Sequence, residues 1–392
     1  MNLDDPIGII ELDHKNIKCL IFKINNNKPE ILSTSVIPSE GIHNDIVVNL
    51  SKASNAIRSS ISSAEKKAKI SLKKINLIFE QPDFLCTKFS KQKKIDGSQI
   101  HKDDIEFLLK EAKKQLIHND KNQSIIHIFN YNYIVDKKTF IEEPIGVYAD
   151  MLTHEMTFIT TPKNNLKNIN QAFIDCDITV EKLISRTFSL GVELLNNKEL
   201  QSGSALIDLG FEKISLGLFK NLAMVHSITI PIGINHITKD LSKVCSINLK
   251  ESENIKNNVN FSFQDIQNIF DENGYLKKSF FIDSNFRKIS KKLIIGVIKA
   301  RLDEIIDKLK KELILPEFSL SSGTSFLLTG EGSCLFNIEK YFTNSFGQNL
   351  KKAHTNNSEE NDENLEKNFS SCLGAIKIIK DGWETEAIPK IN

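Results

Sequence analysis

Residues 8–23 read GIIELDHKNIKCLIFK, and residues 205–220 read ALIDLGFEKISLGLFK. Glu11 aligns with Asp208, Ile17 with Ile214, Phe22 with Phe219 and Lys23 with Lys220, all at one offset of 197 residues. Each copy is an apolar run, an acid, a short polar turn and then an alternating strand. That is the pattern of a β-hairpin with a carboxylate at its tip. A third strand follows each copy, at 29–37 before Pro38 and at 223–230 before Pro231, and helices are predicted next at about 44–69 and 234–245. One supersecondary unit therefore occurs twice.

Between the two copies, residues 76–80 read as a strand. Residues 83–161 read as a separate small unit of strand (84–90), helix (102–116) and two strands (125–135, 155–161). Ile105, Leu108, Leu109, Ala112 and Leu116 give that helix one apolar face. Helices are predicted at 164–173 and 187–195 around a strand at 179–183. Further helices are predicted at 250–257, 288–313, 337–342 and 369–380, with a buried strand at 326–329. The polar run at 352–367 reads as a surface loop.

At 392 residues the chain is too long for one core. Formal net charge is +1, so no global field draws it to nucleic acid or anionic membrane. The cations are nearly all Lys. The four arginines are Arg58, Arg186, Arg287 and Arg301, and each is notable because a guanidinium offers a bidentate fork that an ammonium lacks. The six cysteines (19, 86, 176, 245, 334, 372) form no CxxC pair and no metal spacing, which predicts free thiols in a reducing cytoplasm. No run approaches the roughly 18 apolar residues of a membrane span, and the N-terminus lacks signal-peptide character. No catalytic residue and no metal ligand is assigned.

Two acid-tipped hairpins, a strand ending in Gly330-Glu331-Gly332-Ser333, and Glu253-Asn254-Ile255-Lys256 on a helix resemble the layout of the superfamily of actin, the heat-shock chaperones and the sugar kinases. The implied fold is α/β: an actin-like two-lobed ATPase fold of duplicated ribonuclease H-like domains. In such proteins hairpin turns offer backbone N–H groups to phosphates, and they need Gly for close approach. The hairpin acids hold Mg²⁺, usually through water. The positions that match a nucleotide site are Asp208, Gly210, Glu253, Lys256, Gly330 and Gly332. Taken alone, the E-x-x-K spacing is also that of an ordinary surface ion pair. The turns are degraded: Glu11-Leu12-Asp13-His14-Lys15 lacks Gly, and Asp208-Leu209-Gly210-Phe211-Glu212-Lys213 has one. Asp13, Glu212 and Glu331 each place a carboxylate where phosphate is expected, a like charge that costs on the order of 1 kcal/mol or more per pair. ATP with Mg²⁺ is thus implied by the resemblance, while the turns predict weak or no binding and negligible hydrolysis.

The chain is further similar to FtsA, the actin-like family of bacterial division. The insert has the place and the strand–helix–strand–strand order of that family's subdomain 1C. Pro144-Ile145-Gly146, His154-Glu155-Met156, Thr238-Lys239-Asp240 and Leu328-Thr329-Gly330 occur in the matching order. The resemblance divides the chain into 1A (1–80 and 161–198), 1C (81–160), 2A (199–246 and 317–368), 2B (247–316) and a closing helix with tail (369–392). It implies a non-enzymatic adaptor that binds the FtsZ C-terminal tail, self-associates as an actin-like filament or oligomer, and meets other division proteins through 81–160. It would act at the septum on the cytoplasmic face of the inner membrane. The FtsZ surface would lie on 2B, where Arg287 and the I-x-x-R pattern Ile298–Arg301 match, with Ile294 and Ile298 as an aliphatic ridge. The tail from Trp383 to Asn392 carries acids and a Pro with no apolar stripe, so it does not read as a membrane-surface helix. Two other readings remain open: an ATP-dependent enzyme of the sugar-kinase kind, and an actin-like scaffold of the type IV pilus kind.

Overall fold

The computed structural model describes residues 5–140, 142–263, 269–314, 324–348, 350–353 and 360–381, the side chains of residues 131 and 360–367 aside. The chain forms two compact units. The first comprises the described residues of 1–204, 217–229 and 356–392, and the second those of 205–216 and 230–355.

The chain opens with β1 (Ile7–Glu11), β2 (Asn16–Asn25) and β3 (Lys28–Pro38) as an antiparallel meander. β4 (Ile42–His43) and β5 (Ile46–Val47) form a two-residue ladder, and α1 (Leu50–Ala68) leads to β6 (Lys74–Phe79), which lies parallel to β1. The predicted helix from residue 44 therefore starts later. Asn44 and Asp45 adopt left-handed φ values of 47° and 59°, a conformation their short polar side chains tolerate and which turns a tight hairpin. Asn49 then caps α1 by accepting from the Lys52 N–H.

The insert follows: β7 (Leu85–Gln99), α2 (Lys102–Asn119), β8 (Gln123–Val135), β9 (Lys138–Phe140) and β10 (Tyr148–Pro162). Its four strands are ordered β7-β10-β8-β9. Ile105 and Leu108 of α2 pack with Tyr133, Val135 and Leu152, while Ala112 and Leu116 pack with Phe89, Met156 and Phe158. The chain returns through α3 (Lys163–Ile174) to β11 (Thr179–Ser185), parallel to β6, and then through α4 (Arg186–Leu194) and α5 (Asn197–Ser202). The first sheet thus runs β11-β6-β1-β2-β3.

The second copy supplies β12 (Ser204–Leu209), β13 (Ile214–Lys220), β14 (Ala223–Ile230), α6 (Asn235–Cys245), α7 (Leu249–Asn258), α8 (Lys291–Glu312), β15 (Ser325–Thr329), α9 (Ile338–Phe346) and β16 (Leu350–Lys352). Its sheet runs β14-β13-β12-β15-β16, with β16 parallel to β15. Both sheets therefore carry a meander whose first strand is joined by two further strands, which is the duplication read from the hairpins. The closing helix α10 spans Glu360–Asp381 with a non-helical break at Phe369. Part of the stretch expected as loop is helical, because its Glu, Asn and Lys residues permit a helix before the break. The tail from residue 382 lies outside the described residues.

Two histidines sit in the core of the first unit. His127 Nε2 accepts the Ser185 N–H at 2.9 Å. His154 is fully buried and stacks on Tyr133, centroids 4.5 Å apart. Burial pushes both down to about 3 from 6.5. The unfolded chain takes up these protons near pH 6.5 and the folded chain only near 3, so their contribution is complete above pH 6.5 and fades as pH falls. The expected loss by pH 5 is roughly 2 kcal/mol per histidine. The check is a urea titration series from pH 7 to pH 4, with His154→Phe expected to flatten the acid limb.

Candidate functional site

The first turn is built from the end of β1. Glu11 is fully buried and its register partner on β2 is Lys18, whose Nζ lies 3.0 Å from Oε2. Arg186, the first residue of α4, brings Nε to 3.4 Å from Glu11 Oε1 and Nη1 to 3.6 Å from Asp13 Oδ1. Ser371 on α10 donates its hydroxyl to Glu11 Oε2 at 2.8 Å. Asp13 Oδ1 also accepts the N–H of His14 at 2.8 Å. Burial opposes ionisation of Glu11, yet Lys18 and Arg186 hold its carboxyl below the usual range. The same pairing raises Lys18 against the pull of burial.

The second turn joins β12 to β13 within the second unit. A Cβ at Gly210 would sit 2.6 Å from the Lys213 carbonyl, so this tip requires glycine. The N–H groups of Ile234 and Asn235 tie the tip to the start of α6 through the carbonyls of Gly210 and Phe211. Gly330 has φ +86°, and a Cβ there would meet Asp208 Oδ1 at 2.3 Å. A Cβ at Gly332 would meet Leu209 Cγ at 2.5 Å. Lys256 is buried, pairs with Glu253 at 3.2 Å and lies 5.9 Å over the Phe211 ring. Asp208, Gly210, Gly330, Gly332, Glu253 and Lys256 are therefore gathered around one turn. Glu212 departs from expectation. Its carboxylate turns to α6, accepting from Asn235 at 2.7 Å and from Lys239 at 3.0 Å, so its charge is compensated within the unit.

These residues divide in their fit to ATP with Mg²⁺. The second-unit residues keep a glycine turn and an E-x-x-K pair beside it. The first turn does not fit a metal–phosphate group: its buried carboxylate is already flanked by two cations, and its backbone N–H at His14 is taken by Asp13. Among the described residues, no group of three or more His, Cys, Asp or Glu is placed to hold a metal ion. No described helix is long and apolar enough to cross a membrane.

On α8 the expected aliphatic ridge points inward: Ile294 and Ile298 are fully buried. The helix alternates faces every three to four residues, and the unit's core took this one. Arg301 forks onto Asp240 of α6, Nε to Oδ2 at 2.7 Å and Nη2 to Oδ1 at 3.0 Å, and also pairs with Glu304. Arg287 is exposed, its Nη2 donating to the Ser246 carbonyl at 2.7 Å. The segment before it hangs on a buried carboxylate. Glu251 Oε1 accepts from the N–H groups of Ile282, Asp283 and Ser284 at 2.6, 2.8 and 2.9 Å, and Oε2 accepts from the Ser284 hydroxyl at 2.5 Å. Despite the opposing effect of burial, these bonds lower its pKa to about 2. Val244 and Leu249, on either side of Ser246 in the chain, and Ile282 and Phe286, on the segment of Arg287, are exposed.

Sequence reasoning gave no site role to Lys18, Arg186, Ser371, Glu251 or Lys239. Two signals were present: Lys18 flanks the turn opposite Glu11, and Asn248-x-x-Glu251 is a capping box.

Comparison with known proteins bears on these features. Residues 85–160 match the model described as the SHS2 domain inserted in FtsA, and residues 205–374 match that of cell division protein FtsA, together well over half of the chain. Curated FtsA proteins align over most of it. That of Agrobacterium fabrum is 21% identical over 359 residues, 88% of this chain and 80% of its own. That of Buchnera aphidicola subsp. Schizaphis graminum is 27% identical, covering 78% and 72%. That of Bacillus subtilis is 22% identical, covering 91% and 80%. Among solved structures, the PilM–PilN type IV pilus biogenesis complex aligns with a TM-score of 0.65 at 13% identity, over 96% of this chain and 99% of that one. Spiroplasma citri MreB5 bound to ADP aligns at 0.51 and 14%, over 96% and 98%. At such identities the structures show the fold alone, and that fold is actin-like. With two family models matched in order and the insert in its expected place, the chain belongs to the FtsA family of cell division proteins, as a divergent member.

Proposed function

We propose that this protein is a division adaptor that binds the FtsZ C-terminal tail, self-associates and helps assemble the septal ring on the cytoplasmic face of the inner membrane, without turning over ATP. The observation that carries the binding surface is the Glu251-anchored segment, whose Arg287 bonds back to Ser246, with Val244, Leu249, Ile282 and Phe286 exposed on these two stretches of chain. Lys243, Lys250, Lys288 and Lys292 are exposed along the same segments. Exposed apolar side chains and cations along the same segments suit an acidic peptide with apolar anchors. Arg287 then contacts the peptide. Arg301 serves by bracing α8 on α6, and Ile294 and Ile298 serve by packing α8 against its unit.

The insert at 81–160 supplies a separate surface for self-association and other division proteins, with Phe107, Ile117 and Tyr148 exposed on it. A net charge of +1 gives no reason to expect nucleic acid as a partner.

Titration of an FtsZ tail peptide tests the reading. Arg287→Glu is expected to weaken binding at least about tenfold while leaving the melting temperature unchanged, since an exposed charge carries little stability. Arg301→Glu is expected to lower the melting temperature, because it sets a third acid beside Asp240 and Glu304. Wild-type protein that ignores the peptide, or Arg287→Glu protein that binds it equally, would overturn the assignment.

A further inference from the structure

The first turn disagrees with the metal–nucleotide chemistry of its fold in a specific way. A phosphate loop needs an anion on its backbone N–H groups and a cation on its acid. Here both are side chains of the protein. Asp13 presents its carboxylate to the His14 N–H, standing where an anion would stand. Arg186 reaches both Asp13 and Glu11, and Lys18 reaches Glu11 from the facing strand. Glu11 is fully buried, and Ser371 fills a further acceptor position from the closing helix.

We infer that Asp13, Arg186 and Lys18 act as a built-in replacement for Mg²⁺ and phosphate, so that the first unit holds its hairpin, α4 and α10 together independently of Mg²⁺-nucleotide. Two cations against Glu11 repel a third, and a divalent ion must displace them to bind. The network spans four separated parts of the chain: β1 with its turn, β2, the start of α4, and α10. A nucleotide-free lock of this kind suits a protein retained for its contacts.

The experiment measures thermal unfolding of the full chain in ATP with EDTA, in ATP with Mg²⁺, and in Mg²⁺ alone. The readout is the dependence on Mg²⁺, so nucleotide held by second-unit residues alone does not move it. Wild type is expected to melt at the same temperature in ATP with Mg²⁺ as in ATP with EDTA. The Lys18→Met/Arg186→Met double variant strips the carboxylates of their counter-ions. It is expected to melt lower and to recover several degrees on adding Mg²⁺, with terbium luminescence appearing only in the variant. If the double variant does not fold, Arg186→Gln alone, which keeps Lys18, is read the same way. A Mg²⁺-dependent rise in wild type, or a folded variant indifferent to Mg²⁺ and terbium, would overturn the inference.

Discussion

Gly374→Ala is expected to lower the stability of the first unit by about 3 kcal/mol, at the upper end of ordinary overpacking. A Cβ at this position of α10 would lie 1.9 Å from the Ser189 carbonyl oxygen and 2.7 Å from its carbon. The obstacle is α4 backbone, which cannot swing aside as a side chain does. The helices cannot separate cheaply either. The Ser189 hydroxyl donates to the Ser371 carbonyl at 2.5 Å, and Cys372, Ala375, Ile376 and Ile379 are buried around the same contact. On its other side α4 is equally close-fitted, since a Cβ at Gly191 would strike the Phe219 ring at 2.2 Å. For a unit of this size the loss corresponds to a fall in melting temperature of roughly 6–12 °C. Calorimetry of the full chain reads it, and an unchanged transition would show that α10 does not pack as described.

Glu251→Ala carries the second large effect, on local structure and on partner binding together. The carboxylate takes three consecutive backbone N–H groups and the Ser284 hydroxyl, and it also accepts the Asn248 N–H at 3.1 Å. A buried donor left without an acceptor costs about 1–3 kcal/mol. The segment is expected to open to water rather than bear several such losses, so about 2 kcal/mol of local stability disappears. Hydrogen exchange at Ile282, Asp283 and Ser284 should then quicken by roughly thirtyfold, and binding of the FtsZ tail peptide should fall with it. Glu251→Gln keeps one acceptor oxygen and should lie between. The pH dependence follows from the lowered pKa. With a folded value of about 2 against an ordinary 4.5, the contribution is complete above pH 4.5 and is lost as pH falls toward 2. Unaltered exchange in the alanine variant would separate Glu251 from the placement of Arg287.

Much of the fold was legible because it depends on short-range pattern. Period-two alternation around Glu11 and Asp208 marks hairpins wherever they are placed. The insert was legible from one apolar helix face between strands. The small ladder at Ile42–Val47 was not, because two residues per strand leave no period to read. The early start of α10 was hidden by its polarity, since helical pattern without an apolar stripe reads as loop.

The candidate site was legible only by residue type. The rarity of arginine drew attention to Arg186, Arg287 and Arg301, yet it said nothing of their partners. Arg301 meets Asp240 and Arg186 meets Glu11 across long stretches of chain. The four-residue spacing of Ile294 and Ile298 defined a face of α8 correctly, but periodicity is symmetric: it shows that a face exists, not whether the core or a partner covers it.

Local pattern is enough to establish that two homologous hairpins carry acids at their tips, that an extra unit lies between them, and that the first tip lacks the glycine a phosphate loop needs. Those facts follow from local sterics and alternation, which the chain carries in its order of residues. What became of the charges depended on the folded arrangement. Glu212 is compensated by Lys239, and Glu11 by Lys18 and Arg186. Electrostatic compensation is set by distances of a few ångströms between residues remote in the chain, and burial strengthens it. Neither the distances nor the burial exists until the chain is folded.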